Sequence, residues 1–363
     1  GFNCGIVGLP NVGKSTLFNA ITAAGAKASN FPFCTIEPNV GLVKVPDPRM
    51  DKLTELVIPD KVVYTSQEFV DIAGLVQGAS KGEGLGNKFL SHIRQVDALA
   101  HIVRCFDDDN IIHVHNRISP KDDIEIINSE LILADMDTVE RRIKTLLKGS
   151  KSGDKKQKEE AGILKHVFDM LQKGTLAWQM GLSERDSEAL FDLHLLTNKP
   201  VFYVVNVPET DILNGNKYVD EVRTIAAKEK AELILICAQL ESEIAELDGE
   251  EKKSFLSDYG LTFSGLDQMI TTGYDMLDLI TYFTAGKIEV RAWTIKKGTL
   301  APGAAGKIHT DFERGFIKAE VISYNDFVES GSEAAAREKG LMRLEGKEYI
   351  VQDGDIMHFK FNV

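Results

Sequence analysis

The stretch Gly8-Leu9-Pro10-Asn11-Val12-Gly13-Lys14-Ser15 matches the phosphate-loop pattern G-x-x-x-x-G-K-[ST]. An apolar run, Cys4 to Val7, precedes it, and a helix-like stretch, Thr16 to Ala24, follows it. In this strand, loop and helix setting the backbone N–H groups of the loop surround phosphates at the helix N-terminus. We therefore expect the Lys14 ammonium to reach the β- and γ-phosphates and the Ser15 hydroxyl to bind Mg²⁺. The other nucleotide contacts predicted here are Asn11, Val12, Gly13 and Thr16.

The composition of the 363-residue chain is that of a folded protein with more than one domain, since 43% of its residues are hydrophobic and 27% are charged. No apolar run is long enough to span a bilayer, so we expect a cytoplasmic protein without a membrane partner. The formal charge of −13 disfavours attraction to nucleic acid over the whole surface. From residue 283 onward 12 basic residues balance 12 acidic ones, so any RNA contact must be local.

Short apolar runs alternate with helix-like segments through the first part of the chain and again over residues 201–237. This alternation is typical of an α/β domain with a mostly parallel sheet. In between, apolar residues recur at spacings of three and four, as in Ile124, Ile127 and Leu131, which predicts two amphipathic helices. The predicted bounds are 1–118 and 199–277 for a discontinuous nucleotide-binding domain, 119–198 for a helical insertion and 278–363 for a C-terminal domain.

The helical insertion and the C-terminal domain have sequence features of separate units. Residues 148–158 hold five Lys and one Asp and no apolar side chain, which predicts an antiparallel helical hairpin with a lysine-rich tip. After about residue 276, short β-rich runs are punctuated by Gly, and they predict a small α+β domain. Examples of these runs are Glu289–Thr294, Ile317–Ile322 and Tyr349–Val351.

Two further elements narrow the class of the nucleotide-binding domain. The segment Asp71-Ile-Ala-Gly74 ends an apolar strand and matches D-x-x-G, in which the carboxylate orients Mg²⁺ and the glycine N–H contacts the γ-phosphate. Upstream, Thr35 stands where a first switch would supply a hydroxyl to the same metal. The order and spacing of these elements predict a P-loop NTPase of the G-domain type. The predicted metal ligands are Ser15, Thr35 and Asp71, and the predicted catalytic groups include Lys14 and Gly74.

The base-reading motif departs from the guanine-specific one, N-K-x-D, whose Asp accepts hydrogen bonds from guanine N1–H and N2–H₂. At this place the chain has Asn206-Val207-Pro208-Glu209. Glu209 is one methylene longer than the Asp, and Val207 lacks the lysine stem and charge, whereas Asn206 can still bind a purine edge. The loop Cys237-Ala238-Gln239 is a further predicted base contact, through Ala238. The sequence therefore favours ATP, with GTP as a weakly accepted second nucleotide.

Catalysis is predicted to be slow. Leu75 follows D-x-x-G where small GTPases place a Gln that orients the attacking water, and a leucine side chain neither donates nor accepts a hydrogen bond. The polar loop after the next strand offers His113 and His115, of which His113 is the stronger catalytic candidate. Asn11 is a candidate to hold a monovalent cation, so K⁺ joins Mg²⁺ among the candidate cofactors.

The cysteines have no C-x-x-C pair among them. Cys4, Cys105 and Cys237 lie in or at the end of apolar runs, and we expect them to be reduced core residues. Cys34, beside the predicted metal ligand Thr35, is the cysteine for which a redox-sensitive thiol stays open as an interpretation.

Taken together, these motifs closely resemble those of the YchF family, the Obg-like ATPases, over nearly the whole chain. The matching stretches are Gly8–Ser15, Asn30–Pro38, Asp71–Gly86 and Asn206-x-x-Glu209. The C-terminal part, from Tyr282–Gly286 to Asp353–Asp355, is similar to a TGS domain, the β-grasp module shared with threonyl-tRNA synthetases and stringent-response enzymes. The resemblance implies an α/β P-loop NTPase (G domain) with an inserted antiparallel helical hairpin and a C-terminal α+β β-grasp (TGS) domain.

The resemblance also implies a function. It implies ATP-preferring hydrolysis, binding to the 70S ribosome or its large subunit through the hairpin tip and the TGS-like domain, and roles in translation and stress responses. It assigns His113 a catalytic role. Two competing hypotheses stay open: a GTP-specific translation GTPase, which Glu209 opposes, and a nucleotide-binding scaffold with negligible turnover, which Leu75 allows.

Overall fold

The part of the chain that is described, in a computed structural model, comprises residues 2–27, 39–72, 85–107, 117–149 and 154–362. Its strands are β1 (Asn3–Val7), β2 (Val40–Lys44), β3 (Lys61–Val63), β4 (Ser66–Asp71), β5 (Ala98–Arg104), β6 (Val201–Asn206), β7 (Leu233–Ile236), β8 (Leu279–Ala285), β9 (Glu289–Lys296), β10 (Phe316–Ile322), β11 (Arg343–Glu345) and β12 (Ile356–Phe361). Its α-helices are α1 (Lys14–Lys27), α2 (Pro48–Val57), α3 (Leu85–Gln95), α4 (Pro120–Gly149), α5 (Lys155–Gln172), α6 (Glu184–Phe191), α7 (Lys217–Glu229), α8 (Ala238–Ile244), α9 (Gly249–Asp258), α10 (Gly265–Met276), α11 (Ala301–Ile308), α12 (Thr310–Arg314), α13 (Tyr324–Ser330) and α14 (Glu333–Glu338).

The first sheet has the strand order β2-β4-β1-β5-β6-β7. All its neighbours pair in parallel except β2, which is antiparallel to β4. Every residue of β5 is buried, as expected for a central parallel strand that helices cover on both faces. The predicted α/β fold with a mostly parallel sheet is confirmed. Because the carboxyl ends of parallel strands meet at one edge, the loops that carry the predicted site residues leave the sheet together.

The helical insertion is built from α4 and α5, which pack along each other. Val139 of α4 is fully buried with Leu164, Val167 and Leu171 of α5, so the predicted amphipathic helices are confirmed. Between the two helices, residues 150–153 of the predicted lysine-rich tip lie outside the described residues.

A buried carboxylate fixes where the insertion returns to the sheet. Asp135 of α4 accepts hydrogen bonds from the backbone N–H groups of Leu196 and Thr197, both at 2.8 Å, and from the Thr197 hydroxyl at 2.6 Å. Burial raises the pKa of Asp135, and these three donors oppose that rise. The long helix α4 is therefore anchored at its middle to the segment that enters β6.

The C-terminal sheet has the strand order β11-β10-β12-β8-β9-β3. Its two faces carry separate cores, one formed with α11 and the other with α2, α13 and α14. Strand predictions for Glu289–Thr294 and Ile317–Ile322 are confirmed by β9 and β10. The prediction for Tyr349–Val351 was wrong, because this segment makes a single bridge, from Ile350 to Leu300, before the chain turns into β12.

A segment from the first part of the chain completes the C-terminal sheet. Strand β3 pairs in parallel with β9 at the sheet edge. Met50 and Leu53 of α2 are fully buried in the C-terminal core, and Arg49 forms an ion pair with Asp353 at 3.1 Å. The predicted domain bounds had assigned this segment to the nucleotide-binding domain from its place in the sequence, whereas its apolar side chains are buried on the other sheet.

The described cysteines, Cys4, Cys105 and Cys237, are buried and free, as predicted. Burial raises the pKa of each thiol, so these cysteines stay protonated at neutral pH. Cys34 lies outside the described residues. Among the helices within the described ranges, none is both long and apolar enough to cross a membrane.

Candidate nucleotide-binding site

The phosphate-loop lysine faces the end of β4. Lys14 Nζ lies 2.5 Å from Asp71 Oδ1 and 3.3 Å from the Ile72 carbonyl oxygen. Adjacent parallel strands produce this meeting, because the register of β1 and β4 pairs Ile6 with Asp71 at the edge where both loops begin. The structure thus brings together the cation predicted to bind phosphates and the carboxylate predicted to orient the metal.

The backbone of the phosphate loop adopts two left-handed conformations. Asn11 has φ 65° and Gly13 has φ 96°. Asparagine tolerates this region better than most residues, and glycine adopts it freely. A Cβ atom on Gly13 would lie 2.1 Å from Asn206 Nδ2, so the second glycine of the motif is also required by this close approach.

Asn206 joins three loops at the carboxyl edge of the sheet. Its Nδ2 donates to the Val12 carbonyl at 3.0 Å, and its Oδ1 accepts from the Ala238 N–H at 3.0 Å. The side chain is buried. Asn206 was predicted as a purine contact; in the structure its amide holds the phosphate loop against the loop after β7.

A cavity of about 490 Å³ lies between these loops, within the range of small-molecule sites. Its lining includes most of the predicted nucleotide-binding residues: Asn11, Gly13, Lys14, Ser15, Thr16, Asn206, Val207 and Ala238. Val12 does not line it, because its side chain is buried in the core. Glu209 is exposed beside the cavity, and its Oε2 accepts a hydrogen bond from the Tyr259 hydroxyl at 3.4 Å. The cavity therefore runs from the phosphate loop to the predicted base loops.

Comparison with known proteins shows which family the chain belongs to. Residues 279–362 match the C-terminal family of YchF GTPases, described as a protein of unknown function, and residues 3–142 match a family described as 50S ribosome-binding GTPase. The chain is 57% identical to the ribosome-binding ATPase YchF of Haemophilus influenzae over the whole of both chains. It is 59% identical to that of Bacillus subtilis over 99% of each chain. The chain belongs to the YchF family.

A solved structure of a YchF relative supports the same fold. The structure of the Schizosaccharomyces pombe YchF GTPase superposes with a TM-score of 0.90 and is 41% identical, covering 99% of this chain and 97% of that one. The predicted YchF family and the predicted fold class are confirmed.

Two residues that line this cavity lie outside the phosphate-loop and base-loop motifs, and sequence reasoning missed them. Phe106 and Asp107 follow β5 directly and line the cavity. Buried Arg104 holds Phe106, since its Nε donates to the Phe106 carbonyl at 3.1 Å and its guanidinium lies 4.5 Å from the ring centroid. The Tyr218 hydroxyl in turn donates to Asp107. The signal available in the sequence was the abrupt change from a buried strand to acidic residues at the functional edge of the sheet.

Several predicted residues of the YchF-type site lie outside the described residues: Thr35, Gly74, Leu75 and His113. Within the described ranges no group of three or more His, Cys, Asp or Glu side chains could hold a metal. Mg²⁺ does not require such a group, because it usually keeps several waters and takes one or two protein oxygens plus substrate phosphates. The Ser15 hydroxyl, lining the cavity, and the nearby Asp71 carboxylate are hard oxygen donors of this kind.

Proposed function

We propose that this chain is a ribosome-associated ATPase that hydrolyses ATP slowly to ADP and phosphate and acts as a nucleotide-dependent switch in translation and stress responses. The observation that carries the choice of ATP is the position of Glu209. This residue stands at the place of the guanine-reading Asp, directly after Pro208, which lines the cavity, and its exposed carboxylate accepts a hydrogen bond from the Tyr259 hydroxyl. The names of the curated relatives, ribosome-binding ATPases, support the same conclusion.

The phosphate end of the cavity supplies charge and metal ligands. Lys14 would bind the β- and γ-phosphates, and Ser15, Asp71 and Thr35 would hold Mg²⁺. The ion neutralises charge that develops on the transferred phosphoryl group. Since Lys14 and Asp71 are 2.5 Å apart, each lies within reach of the ligand proposed for the other. Asn11, which lines the cavity, is the proposed K⁺ contact.

The residue proposed to act on the attacking water is His113, and the Gly74 N–H is proposed to contact the γ-phosphate. Leu75 at the usual position of the water-orienting Gln accounts for the slow rate. A histidine can take a proton near neutral pH, which a leucine cannot. We therefore expect His113→Ala to lower the rate of ATP hydrolysis and to leave ATP affinity within about threefold of the wild type.

For the partner, we propose the cytoplasmic ribosome, as the 70S particle or its large subunit. The proposed contacts are the lysine-rich hairpin tip, residues 148–158, and the TGS-like domain. Exposed Lys318 and Lys360 lie opposite each other on β10 and β12, which gives the second region a local positive surface for RNA phosphates. These contacts would weaken as salt is raised.

Two assays test the proposed function. Multiple-turnover phosphate release with ATP should be slow in the wild type and at background in Lys14→Ala. Wild-type release no faster than that of Lys14→Ala would leave the nucleotide-binding scaffold as the better hypothesis. Co-sedimentation with purified 70S ribosomes should depend on the bound nucleotide, and equal binding with ATP, ADP or none would contradict a switch.

A further inference from the structure

Asp107 is the only acidic side chain among the described residues that line the nucleotide cavity. It follows β5, whose neighbours in the sheet are β1, which carries the phosphate loop, and β6, which carries the base motif. Adjacent strands lie about 4.8 Å apart, so a nucleotide placed across these strand ends passes Asp107 between its phosphates and its base. Asp107 contacts α7, the helix that follows the base motif, and this contact sets it toward the base end.

The carboxylate is held in place by groups on both sides. The Tyr218 hydroxyl donates to Asp107 Oδ1 at 2.9 Å and to Oδ2 at 3.1 Å. Tyr218 stands in the first turn of α7, which is capped by Asn216, and Asn216 Nδ2 also donates to the Cys105 carbonyl at 2.8 Å. With Arg104 bonded to Phe106 on the other side, the residue is positioned before any ligand arrives, which lowers the cost of binding.

The phenol remains a donor in this arrangement. Its hydrogen bond to Asp107 raises the pKa of Tyr218, so Tyr218 stays protonated at neutral pH. One hydroxyl proton is shared between two carboxylate oxygens, and an ionised carboxylate has about four acceptor positions. Asp107, which lines the cavity, therefore has acceptor capacity beyond its bond to Tyr218.

We infer that Asp107 is a specificity-determining residue that reads position 6 of the purine. Adenine presents an amino group at this position, which donates to a carboxylate, whereas guanine presents a carbonyl oxygen, which a carboxylate repels. Glu209, the acidic residue of the base motif, does not line the cavity and accepts a hydrogen bond from the Tyr259 hydroxyl. The inference rests on the proposed preference for ATP, and it assigns that preference to a contact with Asp107 in addition to the missing guanine-reading Asp.

A cycle of ligand and protein changes tests the contact on the full chain. Dissociation constants are measured for ATP, GTP and purine riboside triphosphate, which lacks the 6-amino group, with wild type, Asp107→Asn and Asp220→Asn. Asp220 is an exposed residue of the same helix as Tyr218, and it does not line the cavity. Removing the amino group should weaken binding about ten- to hundredfold in wild type and Asp220→Asn. An asparagine oxygen can still accept from the amino group but carries no charge, so in Asp107→Asn the same removal should weaken binding by less, about two- to tenfold.

The ATP to GTP affinity ratio gives a second readout. An asparagine amide at position 107 can donate to guanine O6, so Asp107→Asn should lower the ratio by about tenfold or more. Equal weakening of all three nucleotides, as a ribose contact would produce, overturns the inference. Unchanged affinities overturn it as well. Tyr218→Phe keeps the carboxylate and removes its donor, so we expect a smaller fall in the ratio; a wild-type ratio would remove Tyr218 from positioning Asp107.

The failure of this inference and the failure of the proposed function give different results. A wild type that binds GTP more tightly than ATP contradicts the proposed function, whatever Asp107→Asn does. A wild type that prefers ATP, together with an Asp107→Asn variant of the same preference, contradicts only the inference. Thermal unfolding of each variant shows whether it is folded, and the cycle with purine riboside triphosphate compares ligands on the same folded protein.

Discussion

The two sheets of this chain have the same number of described strands, but they differ in strand pairing and in where their polar residues lie. In the parallel sheet the residues of the proposed site, Lys14, Asp71, Asp107 and Asn206, lie at one edge. In the C-terminal sheet, whose pairing is mostly antiparallel, exposed polar residues such as Lys318 lie across a face. Parallel pairing aligns the strand ends that carry loops, whereas antiparallel pairing alternates them, so the first arrangement favours a pocket and the second a surface.

The segment α2 and β3 joins these two regions. It leaves the parallel sheet after β2, packs on the C-terminal core and returns as β4, which ends at Asp71. The covalent path from the C-terminal sheet to Asp71, the proposed Mg²⁺ ligand, is therefore one strand long. We nevertheless expect substitutions at the edge of the parallel sheet to change ATP affinity and substitutions in the C-terminal core to change the free energy of unfolding. The following variants test this expectation.

Lys14→Ala should have the largest effect. It removes the cation at the phosphate end of the cavity, and charge-assisted hydrogen bonds to phosphate contribute about 1.5–3 kcal/mol each, so ATP affinity should fall at least about 100-fold. Equilibrium titration with ATP measures the loss. Guanidinium unfolding of the same variant should show that the C-terminal sheet keeps its wild-type stability. A loss of ATP affinity below about threefold would mean that the phosphates bind elsewhere.

Leu53→Ala should act on the other sheet. Leu53 is fully buried in the C-terminal core, and such a truncation costs about 2–5 kcal/mol in the free energy of unfolding. ATP affinity should stay within about twofold of the wild type if the sheets are energetically separate. Lys52→Ala, a partly exposed neighbour on α2, is the matched control and should cost less than about 0.5 kcal/mol. A tenfold loss of ATP affinity in Leu53→Ala would show instead that α2 and β3 couple the two regions.

Glu241, on α8 beside the start of α10, should make stability depend on pH. Burial raises its pKa to about 7 from 4.5, although the carboxylate accepts hydrogen bonds from the N–H groups of Gly265 and Leu266. Between these pH values the folded state binds more protons than the unfolded state, so stability should fall as pH rises from about 4.5 to 7, by about 3 kcal/mol.

Glu241→Gln tests this pH dependence. A glutamine side chain still accepts from Gly265 N–H but does not ionise, so the stability of the variant should lack the decline between about pH 4.5 and 7. Denaturant midpoints measured across this range compare the two proteins. The same slope in wild type and variant would assign the pH dependence to other groups.

Asn206→Ala should have a smaller effect on stability than Leu53→Ala. It leaves the Val12 carbonyl and the Ala238 N–H without their partner, which costs about 1–3 kcal/mol because water from the adjacent cavity can reach both groups. ATP affinity should fall as well, since the two loops are no longer joined. Asn19→Ala, at an exposed position of α1, serves as the control. Wild-type ATP affinity in Asn206→Ala would remove this residue from the site.

Features written in local patterns could be predicted from the sequence. The phosphate loop has fixed spacing, β5 and β6 are continuous buried runs, and the three-and-four spacing of apolar residues identified α4 and α5. Each of these sequence patterns lies within one loop, helix or strand, and it reflects which residues of that same segment are buried. They were sufficient for the fold class and for most of the residues that line the cavity.

Contacts between distant segments could not be predicted in the same way. Strand β3 is three residues long and pairs with a strand far along the chain. No periodicity in the sequence therefore predicts this strand or its pairing. Tyr218 and Asp107 are 111 residues apart, and nothing beside either one indicates the other. Glu209 departs from the guanine motif, which the sequence shows, but nothing near it in the sequence indicates its hydrogen bond to Tyr259, 50 residues away.

The central claim is that the edge of the parallel sheet forms an ATP site. Equilibrium dissociation constants for ATP and GTP, measured side by side with Mg²⁺ on nucleotide-free protein, test it most directly. We predict that ATP binds at least about tenfold more tightly, because the missing guanine-reading Asp removes charge-assisted hydrogen bonds to guanine. Equal affinities, or tighter binding of GTP, would contradict the assignment.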